Sequence, residues 1–329
     1  MNSTRSEFLK NLYYHGTVSD LTVFYNHFHS IEELLEFFRS LPKGPVHLHQ
    51  FNVADSVNVI CVVPTPDVKD ENTVKFIKGM SPISIVAVES SGPFFNFAHS
   101  MNIGIEEALK KQPKWIILSN NDISPATSTS NLIRVLETDS DNDILIPRIS
   151  YLEDIPRHSF VEIYKQSLMA RLIYENTPAK ISKMLPVYLQ AHFVFAHLPL
   201  YANGKFVSYN LSQEYSSESK LLSAFLNVAS FVGKWSGTKL IETRNVQPIS
   251  IVSSKVLQVE RFDETFSSGG EDLDLSIRLK LRNYRLGLTD ITFKTPGGAS
   301  LNKGIMRMYR NTIPEIAILG WKLKNEYGL

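Results

Sequence analysis

The sequence predicts an α/β protein with a mostly parallel central sheet flanked by helices. Three observations carry that expectation. Apolar runs short enough to be buried strands recur at 57–63, 83–88 and 115–118. Helical periodicities at 97–111 and 129–138 follow them, before a further strand at 143–146. Each of the first three runs ends in polar residues, at Pro64-Thr65, Glu89 and Asn121-Asp122. Strands that alternate with helices are covered on both faces, so they read as continuous apolar stretches. Ligands of such sheets bind beyond the carboxyl ends of the strands. The polar ends are therefore the first functional signal.

Composition narrows the classes. The chain has 329 residues, room for one large domain or two of about 150 residues. A chain of this size buries about three quarters of its unfolded surface without disulfides. The single cysteine, Cys61, excludes an intrachain disulfide and fits a reducing compartment. Lys and Arg total 34 against 33 Asp and Glu, a net charge of +1. That balance gives no basic field, so no nucleic-acid partner is expected. No run reaches the roughly 18 apolar residues of a transmembrane helix, and the N-terminus lacks the apolar core of a secretory signal. The expected place is the cytoplasm, or the periphery of a membrane.

Three regions are expected: an N-terminal extension over 1–55, a main domain over 56–303 with an insertion at 150–245, and a helical tail over 304–329. In the extension, Leu21-Thr22-Val23-Phe24-Tyr25 reads as a strand. Ser30 and Glu33 form a capping-box pattern before Ile31, Leu34, Leu35, Phe38 and Leu41 at helical spacing. Pro42-Lys43-Gly44-Pro45 stops that helix, and 46–51 reads as a second strand. The region 150–245 holds mixed helical patterns, an aromatic run at 188–195 and a Ser-rich stretch at 208–219. In the tail, Met306, Met308, Tyr309, Trp321 and Tyr327 mix with Arg307, Arg310, Lys322 and Lys324. That pattern fits an interfacial membrane helix or a helix docked on its own domain. Pro314 interrupts it and favours the docked helix.

Several chemistries have no motif. The chain lacks G-x-G-x-x-G after a strand, G-x-x-x-x-G-K-[ST], H-E-x-x-H and G-x-S-x-G. All nine histidines lie at or before His197. His27/His29 and His47/His49 are two apart, so each pair shares a face if its segment is extended. A metal there would need a third ligand; ordinary surface or half-buried histidines are the default.

Three segments carry chemistry. Trp115 through Asp122 runs a buried strand into a cluster of oxygens, Ser119-Asn120-Asn121-Asp122. Mg²⁺ or Mn²⁺ takes such carboxylate oxygens together with phosphate, often with one or two protein carboxylates. The plainer alternative is an Asn/Asp capping turn before Pro125. The second segment, Arg261 through Leu275, contains Gly269-Gly270-Glu271-Asp272. A helix start at Asp272 would stabilise its ionised form, which suits a general base. The strict alternation of Leu273, Leu275, Ile277, Leu279 and Leu281 by itself favours a strand, and solvated charges are the plainer alternative. The third, Gly297-Gly298-Ala299-Ser300, offers backbone N–H groups to a phosphate and is a weak signal alone.

In this order the segments resemble the GT-A glycosyltransferases of family 2, an inverting family that includes rhamnosyl- and galactosyltransferases. Val62-Val63-Pro64-Thr65 resembles the first strand and its Pro-Thr end. Val86-Ala87-Val88-Glu89-Ser90-Ser91-Gly92 resembles V-V-V-D-N-x-S. Asn96-Phe97-Ala98 through Asn102-Ile103-Gly104 resembles G-F-A-x-x-x-N-x-G. Ile117 through Asp122 resembles L-L-L-N-N-D, and Phe262-Asp263-Glu264 through Glu271-Asp272-Leu273-Asp274-Leu275 resembles F-D-E-x-F…E-D-x-D-L. Tyr309-Arg310-Asn311 also fits. The likeness covers 57–150 and 250–311, and its specificity lies in the order and spacing of the blocks.

The resemblance implies a GT-A fold and makes the alternating series Leu273 to Leu281 a helix. It implies a nucleotide-sugar donor (UDP-, dTDP- or GDP-linked) and a glycan, lipid-linked or protein acceptor. Glu89 would face the base or ribose, with Pro64, Thr65, Asn102 and Asn121 in the donor site. Asp122 would hold Mg²⁺ or Mn²⁺ on the diphosphate. Asp272 would take the proton of the attacking hydroxyl, supported by Glu271. Three features depart from the pattern. Glu89 replaces the usual Asp, and Thr295 stands where the family often has His. The regions 1–55 and 150–245 lie outside the common core, where they would shape the acceptor site or a homo-oligomer contact. A catalytically inactive sugar-nucleotide- or glycan-binding relative is the alternative. A sugar nucleotidyltransferase ranks lower, because Pro64-Thr65-Pro66-Asp67 is no Gly-rich phosphate loop.

Overall fold

The computed structural model describes residues 3–53, 58–151, 206–210, 240–244, 249–267, 270–295, 310–311 and 313–327. The aromatic run 188–195 and the turn 297–300 lie outside them. The helices are α1 (Ser3–His15), α2 (Val18–Asn26), α3 (Ile31–Arg39), α4 (Glu71–Gly79), α5 (Phe97–Leu109), α6 (Thr129–Thr138), α7 (Ser254–Val259), α8 (Glu271–Leu281) and α9 (Ile313–Asn325). The strands are β1 (His47–Phe51), β2 (Val59–Thr65), β3 (Ser84–Glu89), β4 (Trp115–Ser119), β5 (Ser124–Pro125), β6 (Ile144–Tyr151), β7 (Phe206–Asn210), β8 (Leu240–Arg244), β9 (Ile249–Ser253) and β10 (Leu286–Thr295).

Eight strands form one curled sheet in the order β1-β3-β2-β4-β9-β6-β10-β5. The pair β7-β8 stands apart from it. The sheet is mixed rather than mostly parallel. Only three of its seven pairings, β3–β2, β2–β4 and β6–β10, are parallel. The departure has a topological cause: β9 inserts between β4 and β6 and runs antiparallel to both. β1 and β5 add antiparallel edges.

The two sheet faces follow the strand period of two. Cys61, Val63, Ala87 and Ile117 pack against Phe76, Met80, Leu132 and Leu136 on the α4/α6 side. Val62, Val86, Val88 and Leu118 pack against Met101 and Ile105 of α5 and Leu275 and Leu279 of α8 on the other. A third core joins α1, α2 and α3 to Phe266, Ile277, Ile318 and Leu319. α8 therefore lies between two cores. That explains its strand-like alternation: Leu275 and Leu279 fill one core and Ile277, about half a turn away, fills the other.

The predicted strand 21–25 is instead part of helix α2. Thr17 and Asp20 cap each other's backbone amides in a full capping box. The buried Leu21, Phe24, Tyr25 and Phe28 then follow at helical spacing. α3 matches the prediction, with Ser30 accepting from the amide of Glu33 at 3.2 Å. β1 matches as well, and it belongs to the main sheet. The tail forms α9 and docks on the third core through Ile318 and Leu319. Pro314 lies in its first turn, where a missing N–H costs nothing. No described helix is long and apolar enough to cross a membrane.

Candidate functional site at the carboxyl edge of the sheet

β2, β3 and β4 run parallel, so Thr65, Glu89 and Ser119 finish at one edge. β6 and β10 point the same way, because β9 is antiparallel to both β4 and β6. Thr295 therefore ends at that edge too. β9 pairs with β6 only at Ile144 and Leu145. Pro147, which has no N–H to donate, lies two residues beyond Leu145. Beyond that point β6 pairs only with β10. The 120–123 segment leaves β4 here and reaches β5, where Ser124 pairs with Lys294 and Pro125 with Phe293. Asp122 is thereby carried toward the end of β10, where Thr295 lies.

A row of polar groups crosses this edge. Thr65 and Glu89 are register partners, and the amide of Ser90 donates to the Thr65 carbonyl at 3.0 Å. The hydroxyls of Thr65 and Thr73 lie 2.6 Å apart. Asn121 Nδ2 donates to Thr73 Oγ1 at 3.1 Å and to Thr65 Oγ1 at 3.4 Å. Glu89 Oε2 accepts from the amide of Val68 at 3.3 Å. Thr65, Glu89 and Asn121 thus form one connected row, and Pro64 lies buried beside them in β2.

Asp122 is the outlier of the row. Its Oδ1 is buried and has no hydrogen-bond partner among the described residues. Burial raises its carboxyl above the usual carboxylate range. Oδ1 of Asn120, two residues earlier, is likewise buried and without a hydrogen-bond partner among the described residues. Two orphaned oxygens two residues apart are costly unless something fills them. Oxygen donors of this kind suit a hard divalent cation that keeps water and phosphate ligands. Among the described residues no three His, Cys, Asp or Glu side chains converge as a preformed metal cage.

Asp272 reaches the same edge by another route. The loop 262–267 runs along α5 toward that edge. Asn102 holds it with both ends of its amide: Nδ2 donates to the Phe262 carbonyl at 2.9 Å, and Oδ1 accepts the Phe262 amide at 3.0 Å. Asn96 caps α5 and donates to the Glu264 carbonyl at 2.9 Å. The amide of Phe97 donates to the Ser267 carbonyl at 2.7 Å. The Glu264 carboxylate receives Asn102 at 3.0 Å, His99 at 3.0 Å and Lys43 at 3.5 Å. Gly270, at φ 117°, opens α8, whose far end meets the opposite edge through the Arg285–Asp143 contact. The first turn of α8 is therefore at the carboxyl edge. Glu271 is buried there and Asp272 is half-buried, so Asp272 is the more open of the adjacent pair.

The structure thus brings Thr65, Glu89, Asn121, Asp122, Glu271 and Asp272 to one edge. Asn102 is spent on holding the 262–264 loop. Sequence reasoning assigned no part to Asp263, Asp274 and Lys322, which lock α8 in place. The Asp274–Arg278 spacing of four residues was a local signal for half of that lock; the contacts of Lys322 with Asp263 and Asp274 had none. No protein-family model matches the chain, and no curated protein matches it.

Proposed function

We propose that the protein is an inverting, divalent-metal-assisted glycosyltransferase that moves a sugar from a nucleotide-linked donor to an acceptor hydroxyl. The observation that carries this reading is the orphaned, buried Asp122 oxygen on the strand-end edge that also holds the first turn of α8. Mg²⁺ or Mn²⁺ held by Asp122, when bound, would supply positive charge for the donor diphosphate. Asn121 and Thr65, already bonded to one another, would fix the Asp122 loop against β2. Glu89 would accept hydrogen bonds from the nucleoside. Asp272 would accept the acceptor's hydroxyl proton as that oxygen attacks the anomeric carbon from the face opposite the leaving diphosphate. The N-terminal end of α8 favours its ionised form.

A catalytically inactive donor-binding relative is the second reading. Thr295, buried at the edge where the resembled family often carries His, favours it. One experiment separates the two. UDP-, dTDP- and GDP-sugars are screened by thermal shift with and without Mn²⁺, and the ones that bind are assayed for release of nucleoside diphosphate. Mn²⁺-dependent stabilisation with turnover is expected. Stabilisation without turnover selects the inactive relative, and no stabilisation by any sugar nucleotide removes both readings.

A further inference from the structure

We propose that His49, from the edge strand that precedes the family-like region, is a positioning residue for Glu89 and so for the donor's nucleoside; this rests on the glycosyltransferase reading above. β1 pairs antiparallel with β3, His47 opposite Glu89 and His49 opposite Ala87. Opposed residues share a sheet face and alternate residues return to it. His47, His49 and Glu89 therefore all lie on the α4 side. Gln50, on the other parity, confirms the assignment by reaching Glu107 of α5 at 2.9 Å.

His49 Nε2 lies 3.3 Å from Glu89 Oε2. The nitrogen is closed to solvent and makes no hydrogen bond among the described residues, so the approach to Glu89 is one of distance and charge rather than of hydrogen-bond geometry. A buried imidazole nitrogen is costly without a partner, and the carboxylate is the group in reach. The Val68 amide donates to that same Oε2. Both contacts fall on one oxygen. Among the described residues Glu89 Oε1 has no partner, which leaves it for a ligand. A carboxylate anchored by one oxygen, with the other free at a strand end, suits vicinal ribose hydroxyls or a base N–H. The departure from Asp to Glu also acquires a reason. The extra methylene adds a torsion to be fixed, and His49 with Val68 fixes it.

The test is a double-mutant cycle read by calorimetry of the full chain with UDP, GDP and dTDP in the presence of Mn²⁺. His49→Ala is expected to weaken binding about tenfold, as loss of one charge-assisted contact does. His49→Gln keeps an N–H donor and is expected to stay within about threefold of wild type. In a Glu89→Ala background the same His49 substitutions are expected to change nothing further. Equal weakening in both backgrounds, or a His49→Gln variant as weak as His49→Ala, makes His49 structural and overturns the inference alone. A wild type that binds none of the three diphosphates overturns the glycosyltransferase reading and the inference with it.

Discussion

Lys322 Nζ lies 2.9 Å from Asp274 Oδ1, and the two side chains are 3% and 0% exposed. The ammonium also reaches Asp263, and Tyr327 donates its hydroxyl to the same Asp274 oxygen. Arg278 covers the other oxygen of Asp274 at 2.9 Å and pairs with the buried Glu260 at 2.7 Å. The tail helix is thus bonded to both the 262–267 loop and α8, which carry the acidic pattern Asp263, Glu271, Asp272 and Asp274. Removing one member of a buried ion pair leaves the others desolvated and uncompensated. Lys322→Ala is expected to lose about 3–5 kcal/mol of folding stability. Tyr327→Phe, which removes one hydrogen bond, is expected to lose only about 1 kcal/mol. Urea unfolding midpoints check both, and equal costs would mean the ammonium is not the keystone.

This lock marks the limit of what the sequence could yield. The strands at 59–63, 85–88 and 115–118 were legible because both faces of each are buried, so these positions are all apolar. Their polar ends exposed the site edge for the same reason. Two features were not legible. Leu21-Thr22-Val23-Phe24-Tyr25 has strand propensity, but the Thr17/Asp20 cap and a core on one side make it helical. The antiparallel entry of β9 could not be foreseen, because its partners β4 and β6 are set by packing over a separation of more than a hundred residues. The place of Lys322 in the lock was not local either: beside Glu326 four residues on, it reaches two carboxylates 59 and 48 positions away.

Two carboxylates give pH dependences of opposite sign. Burial alone would raise Asp263, but the Lys322 ammonium and the hydrogen bonds from Thr265 together outweigh it and hold the carboxyl below its usual value. Its contribution is complete above the unfolded-chain pKa and is lost as pH falls through the depressed value. Asp122 is raised by burial, so the folded state binds its proton more tightly than the unfolded chain does. Stability therefore falls as pH rises from the unfolded to the raised value. Asp122→Asn should remove that fall, and Asp263→Asn should remove the acid-side loss. Urea midpoints taken between about pH 3 and pH 7 decide it; a pH profile unchanged by Asp122→Asn would refute the assignment.

Gly104 is where α5 touches the sheet. A Cβ there would sit 2.4 Å from Val62 Cγ1 and 2.7 Å from Val88 Cγ2, and both valines are fully buried. Neither β-branched side chain can move far, because χ1 of Val is stiff and the core is close-packed. Gly104→Ala is expected to cost about 1–3 kcal/mol despite the better helix propensity of Ala. Since α5 also carries Asn96 and Asn102, a shift of the helix would loosen the 262–267 loop. Hydrogen exchange of the Phe262 amide, which Asn102 protects, should rise in this variant. An unchanged midpoint would show that the helix moves freely away from the sheet.

The neighbouring carboxylates of α8 should separate into two jobs. Asp274 is fully buried between Arg278, Lys322 and Tyr327, so it has no surface to offer a ligand. Asp272, two residues earlier, is half-buried at the sheet edge. Asp274→Asn keeps the shape but removes the charge that two cations share, so its effect belongs to stability. Under the proposed glycosyltransferase reading, Asp272→Asn removes the proton acceptor and should leave the nucleoside diphosphate affinity near wild type. Its sugar transfer should fall by about 10²- to 10⁴-fold, the usual worth of a positioned base. Steady-state kinetics beside denaturation curves for the two variants make the comparison. Transfer at nearly the wild-type rate by Asp272→Asn would remove it as the base and leave Glu271 as the remaining acid of that turn.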